Sequence, residues 1–262
     1  MIDVVAVDWS GAQSGAARHI WLAHARDGRI IELADGRDRA AVIAYLVDLK
    51  TACPDGLVVG LDFSFSFPAW FLRAQGHARV ADLWQQVTEI GEDWLAACEP
   101  PFWGKKGDRR PQLESHLRRT EQRAAVDGVS AKSSFQVRGA GTVGTGSLRG
   151  MPHLLALQAA GFSIWPFDPP SPWTVVELYP RLCTGPVTKS NVGSRIDYLR
   201  QSGWNLTDEQ RTIAAASEDA FDAAISALVM DRHSDDLSQL TQSTDPMTLR
   251  EGMIWRPPSI GP

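Results

Sequence analysis

Five acidic side chains stand where they could hold a metal ion: Asp8, Asp62, Glu177, Asp219 and Asp222. Asp8 and Asp62 each follow a run of β-branched and apolar residues, DVVAV and LVVGL, which is typical of a strand buried on both faces. Carboxylates gathered at the C-terminal edge of such strands repel one another unless they are solvated, paired or bound to a cation. Hard oxygen ligands suit Mg²⁺ or Mn²⁺ rather than zinc. The pattern therefore predicts a divalent-metal site at one edge of a sheet.

The segment SEDAFDAAISALVM predicts a late helix that brings two more acids to the same place. Asp219 and Asp222 are three residues apart, so they lie on one side of the helix, next to its apolar stripe. Small residues at Ala220, Ala223 and Ser226 would let this helix approach the sheet closely. Taken singly, Asp8 could instead cap a turn, Asp62 could N-cap the next element, and the two helix acids could be ordinary first-turn residues that the helix dipole favours. The joint pattern is more specific than its members.

A basic segment over residues 105–123 is the clearest charge asymmetry of the chain. The candidates for contacting a nucleic acid here are Trp103, Lys105, Lys106, Arg109 and Arg110. The basic side chains would neutralise phosphates, and the indole could stack on an unpaired base. The alternative is a solvated loop followed by the polar face of a helix. A net charge of −5 excludes a protein coated in positive charge for indiscriminate nucleic-acid binding.

The elements that must position these side chains follow from local patterns. The predictions for the first part of the chain are strands at Asp3–Val7, His19–Ala25, Arg29–Leu33 and Leu57–Leu61, a turn at Asp27-Gly28, and a helix over Asp38–Lys50. This order, strand-strand-strand-helix-strand, predicts an α/β protein with a mixed sheet and helices on both faces. At 262 residues the chain fits one such domain carrying a large insertion.

The insertion or cap is placed at about residues 63–170. It would contain helices near Trp84–Ala97 and Leu113–Ala125, and a glycine-rich loop over residues 139–150. A fifth strand over Thr174–Leu178 would carry Glu177, and helices would follow from Thr207 to His233. The C-terminal residues 242–262 are predicted to be extended.

Composition favours a globular protein of a reducing compartment. Hydrophobic residues make up 44% and charged residues 22% of the chain. The cysteines, Cys53, Cys98 and Cys183, are odd in number and far apart, and the histidines show no zinc spacing, so neither a disulfide framework nor a zinc site is supported. Asp3 and Asp8 interrupt any secretory signal, and no apolar run approaches membrane-spanning length. We expect a cytoplasmic protein without a membrane partner.

Several motifs resemble those of a known superfamily: VAVDWSGA, GLDFSFSFP, ELYPRL, SEDAFDAAISA and EGMIWRPP. Together they span nearly the whole chain and resemble the ribonuclease-H-like superfamily, within it the predicted nucleases catalogued as domain of unknown function 429. SEDAFDAAISA is also similar to the Asp-x-x-Asp-Ala signature of Holliday-junction resolvases in that superfamily.

The resemblance implies a nuclease that hydrolyses phosphodiester bonds with two divalent ions, Mg²⁺ or Mn²⁺. Asp8 would bridge the ions, Asp62 and Glu177 would complete the ligand shells, and Asp219 or Asp222 would hold the second ion. One ion would activate water and the other would stabilise the leaving oxygen. The catalytic acids implied are Asp8, Asp62, Asp219 and Asp222.

Three other functions compete. Gly139, Gly141 and Gly144 match the dinucleotide-binding pattern G-x-G-x-x-G, but the preceding SSFQV is short and polar for its strand, and a loop that contacts phosphate through backbone N–H groups fits better. Residues 8–11, Asp-Trp-Ser-Gly, could form the phosphate turn of an actin-like or sugar-kinase phosphotransferase, with Asp62 as base or metal ligand. Such enzymes need two copies of the core, and only one is visible. A non-catalytic binding module is the third alternative.

Overall fold

The computed structural model describes residues 2–107, 109–126, 130–139 and 142–258. These residues form one α/β unit around a mixed sheet with the strand order β3-β2-β1-β4-β6-β5. The strands are β1 (Asp3–Asp8), β2 (Trp21–Arg26), β3 (Arg29–Ala34), β4 (Leu57–Leu61), β5 (Ser163–Ile164) and β6 (Trp173–Glu177). β1, β2 and β3 pair antiparallel, whereas β1, β4, β6 and β5 run parallel. The predicted α/β class with a mixed sheet is confirmed.

Helices lie on both faces of the sheet. They are α1 (Arg39–Ala52), α2 (Ala69–Ala74), α3 (Val80–Ala97), α4 (Arg119–Val126), α5 (Gly144–Ala159), α6 (Pro180–Thr184), α7 (Val192–Gln201), α8 (Asp208–Ala216), α9 (Glu218–Arg232), α10 (Ser234–Ser238) and α11 (Thr248–Glu251). One hydrophobic core joins the sheet to α1, α3 and α5 through residues such as Leu46, Trp84 and Leu154. A second core joins the other face to α8 and α9 through residues such as Ala214 and Ile225.

The first three strands follow directly from the sequence. Residues Val4 to Val7 of β1 are at most 1% exposed, because the strand is covered on both faces. The β2–β3 hairpin turns at Asp27 and Gly28, whose φ angles of 53° and 74° are the left-handed values that a two-residue turn of this kind requires. α1 begins where the Asp38 side chain accepts a hydrogen bond from the Ala41 amide.

The predicted glycine-rich loop over residues 139–150 is wrong from residue 144 onward, since α5 begins there. A Cβ on Gly150 would lie 2.7 Å from the ring of Phe63, so this glycine allows helix and strand end to pack closely and does not mark a loop. Gly141, part of the dinucleotide-like pattern, lies outside the described residues. Within residues 63–170, α3 and α5 enter the first core and β5 joins the sheet edge.

Two smaller differences lie near the site. The helix predicted over Leu113–Ala125 begins only at Arg119. The C-terminal segment, predicted as extended, contains α11, and its Ile254 bridges to Glu177 at the end of β6. None of the helices in the described part of the chain is both long and apolar enough to span a bilayer.

Candidate metal centre

Asp8 and Asp62 stand side by side at the C-terminal edge of the sheet. Val7 of β1 pairs with Leu61 of β4, and the Asp62 amide donates to the Val7 carbonyl at 3.1 Å, so each aspartate is the next residue on its strand. Side chains alternate between the two faces of a strand. Both carboxylates therefore project to the face that α9 covers.

α9 brings two further carboxylates to this edge. The Ser217 hydroxyl caps the helix by accepting a hydrogen bond from the Ala220 amide. Ala220 and Ala223 are at most 1% exposed, and their small size lets the first turns of α9 pack closely on β1 and β2. Asp222 is 5% exposed, whereas Asp219, one turn earlier, is partly exposed.

The pKa values of the four aspartates are all raised, by burial first and for Asp8, Asp62 and Asp222 also by neighbouring aspartates. Burial and the charges of Asp62, Asp222 and Asp219 raise the pKa of Asp8 well above its usual value. Burial, followed by the charge of Asp222, raises the pKa of Asp62 to about 8. Burial raises the pKa of Asp222 to about 6 and also raises that of Asp219. Carboxyl groups from β1, β4 and α9 thus form one cluster whose full ionisation is opposed by burial and by neighbouring negative charges.

Lys189, which the sequence interpretation missed, is the cation of this site. Its Nζ donates to Oδ2 of Asp222, and its side chain is 18% exposed. Burial alone would lower the pKa of Lys189, but the negative charges of Asp222, Asp62 and Asp8 raise it above its usual value. Oδ1 of Asp222 is buried and has no hydrogen-bond partner among the described residues. One ammonium group thus faces four carboxyl groups. When these are ionised, a bound cation would balance the negative charge that Lys189 leaves uncompensated.

The ligand atoms of the aspartates are not drawn together around a single point. Among the described residues, only Asp3, His24 and Cys53 offer three ligand atoms that lie within 4.8 Å of one another. In the aspartate site the Lys189 ammonium lies against Asp222 instead. Holding an ion there requires the carboxylates to turn toward it and the ammonium to give up its contact with Asp222.

The Asp3, His24 and Cys53 group lies at the other end of β1 and is already paired. Oδ1 of Asp3 contacts Nε2 of His24 at 2.6 Å and accepts from Nε of Arg26 at 2.7 Å. Burial raises the pKa of the Cys53 thiol to about 11, which disfavours the thiolate that a metal would need. The group is best described as a buried ion-pair network.

Glu177 forms an ion pair with an arginine on the opposite face of the sheet. Leu61 pairs with Glu177 in the register of β4 and β6, so strand alternation turns this side chain away from the face of α9. Both of its carboxylate oxygens accept from the Arg118 guanidinium, and Oε2 also accepts from the Phe65 amide at 3.0 Å. Arg118 is fully buried and also binds Glu121. A cavity of about 30 Å³ lies between Asp62 and Glu177.

The predicted nucleic-acid contacts do not line the described cavities at the aspartates. Nζ of Lys105 donates to the Ala97 carbonyl at 2.5 Å, and the Arg110 guanidinium lies 5.3 Å from the ring centre of Trp103. Lys106 and Arg109 are exposed. None of these five side chains lines the described cavities that border Asp62. The basic side chain that does so is Lys132, which no spacing in the sequence distinguished.

Comparison of the chain with protein-family models gives no match, and searches of curated proteins and of solved structures return no significant match.

Proposed function

We propose that this protein is a nuclease that hydrolyses phosphodiester bonds with divalent metal ions, on a ribonuclease-H-like fold. The observation that carries the proposal is the meeting of Asp8, Asp62, Asp219 and Asp222 at one sheet edge, where the charges of the other three raise the pKa of Asp8 and those of Asp222 and Asp219 raise the pKa of Asp62. The fold assignment rests on the sheet, in which an antiparallel three-strand meander is followed by a helix and parallel strands.

The donor set suits hard cations. The four aspartates offer carboxylate oxygens, and Oδ1 of Asp222 is buried without a donor in the described part of the chain. Such ligands favour Mg²⁺ or Mn²⁺, and two ions are expected from four carboxylates. When bound, these ions supply charge stabilisation to the phosphodiester and make a water molecule nucleophilic at neutral pH.

The residues of the site divide into ligands and supports. We assign Asp8, Asp62 and Asp222 as the principal ligands, with Asp219 at the more exposed side. Lys189 holds Asp222 in place and balances part of the charge before the ions enter. Glu177, whose oxygens are taken by donors on the other face, is assigned to structure and not to the metal.

Substrate contacts beyond the metal site remain predictions. Lys105, Lys106, Arg109 and Arg110 stay candidates for contacts with substrate phosphates, with Trp103 next to Arg110. The actin-like phosphotransferase alternative needs a second copy of the core. The described residues contain one sheet with one strand-strand-strand-helix-strand order, which favours the nuclease.

The test compares wild type with Asp8→Asn on labelled single-stranded, duplex and branched DNA and RNA, each with Mn²⁺, with Mg²⁺ and with EDTA. Asp55→Asn is the matched control, because Asp55 is exposed at the opposite end of β4. We expect metal-dependent cleavage that Asp8→Asn lowers by at least about 100-fold, with the control unchanged and both variants folded.

A parallel incubation with ATP tests the phosphotransferase. Wild-type turnover of ATP without cleavage of any nucleic acid would replace the nuclease assignment by that alternative. Full cleavage activity in Asp8→Asn would remove the aspartate site from the chemistry.

A further inference from the structure

A second feature borders the aspartates. A cavity of about 490 Å³ opens between the loop that follows β1 and the start of α5, with Asp62 at its edge. Its lining includes Trp9, Gly11, Lys132, Gly146 and Tyr179. Apart from Asp62, the polar side chains at this lining carry N–H or O–H groups. The hydroxyls of Thr145 and Tyr179 already donate to the carbonyls of Val137 and Ser130, so the side-chain donors that remain for an anion are chiefly those of Trp9 and Lys132.

The start of α5 presents backbone amides to this cavity. The Gly144 amide donates to the Gln136 carbonyl at 3.0 Å, while the amides of Thr145 and Gly146 have no acceptor within the helix because of their position in its first turn. A Cβ on Gly11 would lie 2.7 Å from the Gly146 nitrogen, so the loop after β1 touches the helix start directly. The first-turn amides also carry the partial positive charge of the helix dipole.

The loop after β1 is oriented by two arginines. Arg39 donates to the Ser10 carbonyl at 2.8 Å, and Arg149 donates to the Gly11 carbonyl. In a trans peptide the N–H points opposite to the C=O of the preceding residue. The Gly11 amide therefore faces away from Arg39, and its nitrogen lies 3.8 Å from the position of a Cβ on Gly146.

Two side chains complete the donor set. Trp9 is 7% exposed, and its buried Nε1 has no acceptor among the described residues. Its Cδ1, bonded to Nε1, lies 3.9 Å from the Cβ position of Gly146, so this edge of the indole faces the helix start. A buried donor without a partner is unfavourable, and a bound acceptor would relieve that cost. Lys132 is exposed and takes part in none of the described ion pairs.

We propose that this cavity is a phosphate subsite, which binds a backbone phosphate of the nucleic-acid strand next to the bond held at the aspartates. This inference rests on the proposed nuclease function and adds the substrate contact that the basic segment does not provide. Asp62, Lys132 and Tyr179 also line the smaller cavity that reaches Glu177, so the two cavities adjoin at Asp62. A phosphate in the larger cavity would therefore lie next to the aspartates, as the phosphate neighbouring the cleaved bond of a strand must.

The experiment measures binding of fluorescein-labelled single-stranded DNA and RNA oligonucleotides by anisotropy in Ca²⁺, across a salt series, with gels to verify that the strands stay intact. The variants are Lys132→Gln, which changes an exposed side chain, and Trp9→Phe, which removes the Nε1 donor and keeps a ring. Arg29→Gln is the matched control for loss of one positive charge, since Arg29 is exposed at the β2–β3 turn on the opposite edge of the sheet. Thermal melts confirm folding of each variant.

We expect Lys132→Gln and Trp9→Phe each to weaken binding by about tenfold, the effect of about 1.4 kcal/mol. Lys132→Gln should also lower the slope of log affinity against log salt by about 0.7, the value for one phosphate contact on a single strand. Arg29→Gln should change neither. Wild-type affinity in both cavity variants, or no oligonucleotide binding by wild type, would overturn the subsite.

Competition with ATP and with inorganic phosphate distinguishes a nucleic-acid strand from a free nucleotide as the source of the bound phosphate. Displacement of the strand by ATP at concentrations far below those of inorganic phosphate would assign the cavity to a nucleotide and overturn the strand proposal. If the variants weaken binding as expected but no metal supports cleavage by wild type, the nuclease function fails while the subsite stands.

Discussion

Replacing Asp62 by Asn should make the metal-free protein more stable at alkaline pH, although it removes a proposed catalytic group. Burial and the charge of Asp222 raise the pKa of Asp62 to about 8 in the folded protein, against about 4 in an unfolded chain. A carboxyl group with a raised pKa favours folding in its protonated form. Without metal, wild type should therefore lose stability as the pH rises from about 4 through 8.

The size of the effect follows from the shift. Each pKa unit corresponds to about 1.36 kcal/mol, so about four units amount to at most about 5 kcal/mol once the pH exceeds 8. The Asp62 side chain is partly exposed, and solvent screening leaves roughly half of this, about 3 kcal/mol. For a chain of this size, about 2–4 °C of Tm corresponds to each kcal/mol. Asp62→Asn should thus raise Tm by about 6–12 °C at pH 8 in EDTA.

Differential scanning calorimetry of wild type and Asp62→Asn in EDTA, at pH 5 and pH 8, measures this difference. The gain should shrink markedly at pH 5, where wild-type Asp62 is largely protonated, and Asp55→Asn should show no gain at either pH. A Tm of Asp62→Asn below that of wild type at pH 8, or a gain independent of pH, would refute the account of mutual repulsion.

Three further outcomes are expected. Mn²⁺ at 100 times its Kd should stabilise wild type by about 2.7 kcal/mol at pH 8. Calorimetry should show this as a rise in Tm, which should be smaller at pH 5 and absent in Asp8→Asn. Lys189→Met removes the ammonium that competes with the ions, so calorimetric titration should show Mn²⁺ binding about tenfold tighter, a gain of about 1.4 kcal/mol; weaker binding would contradict competition. Arg118→Met leaves the buried Glu177 and Glu121 without their cation, so urea unfolding should show a loss of about 3–5 kcal/mol, and a loss under 1 kcal/mol would be inconsistent with the buried network.

Local patterns were sufficient for the part of the fold that is built from neighbours in sequence. Three features depend only on residues a few positions apart in the chain: the β-branched runs of β1 and β4, the Asp27-Gly28 turn, and the cap of α1 at Asp38. The position of Asp8 and Asp62 at the ends of buried strands followed from the same runs. Such features can be inferred because hydrophobic periodicity and turn chemistry are local properties.

Glycine misled the interpretation of residues 144–150. In an isolated sequence, glycine indicates a loop, because it weakens a helix by about 1 kcal/mol relative to alanine. Gly150 tolerates that cost within α5 because a Cβ would collide with the ring of Phe63, 87 positions earlier in the chain. Only the packing partner reveals which role a glycine has.

By itself, the sequence determined the strand and hairpin elements of the first half, the acids at their ends and the α/β class. The tertiary structure alone decided which acids meet. Strand register turns Asp62 toward α9 and Glu177 toward Arg118, although the two carboxylates stand at the ends of neighbouring strands. It also brought Lys189 to Asp222 across a separation of 33 residues that no local pattern marks. The physical reason is that burial and charge pairing depend on distance in space, which the chain sets only when its strands are in register and its helices are packed.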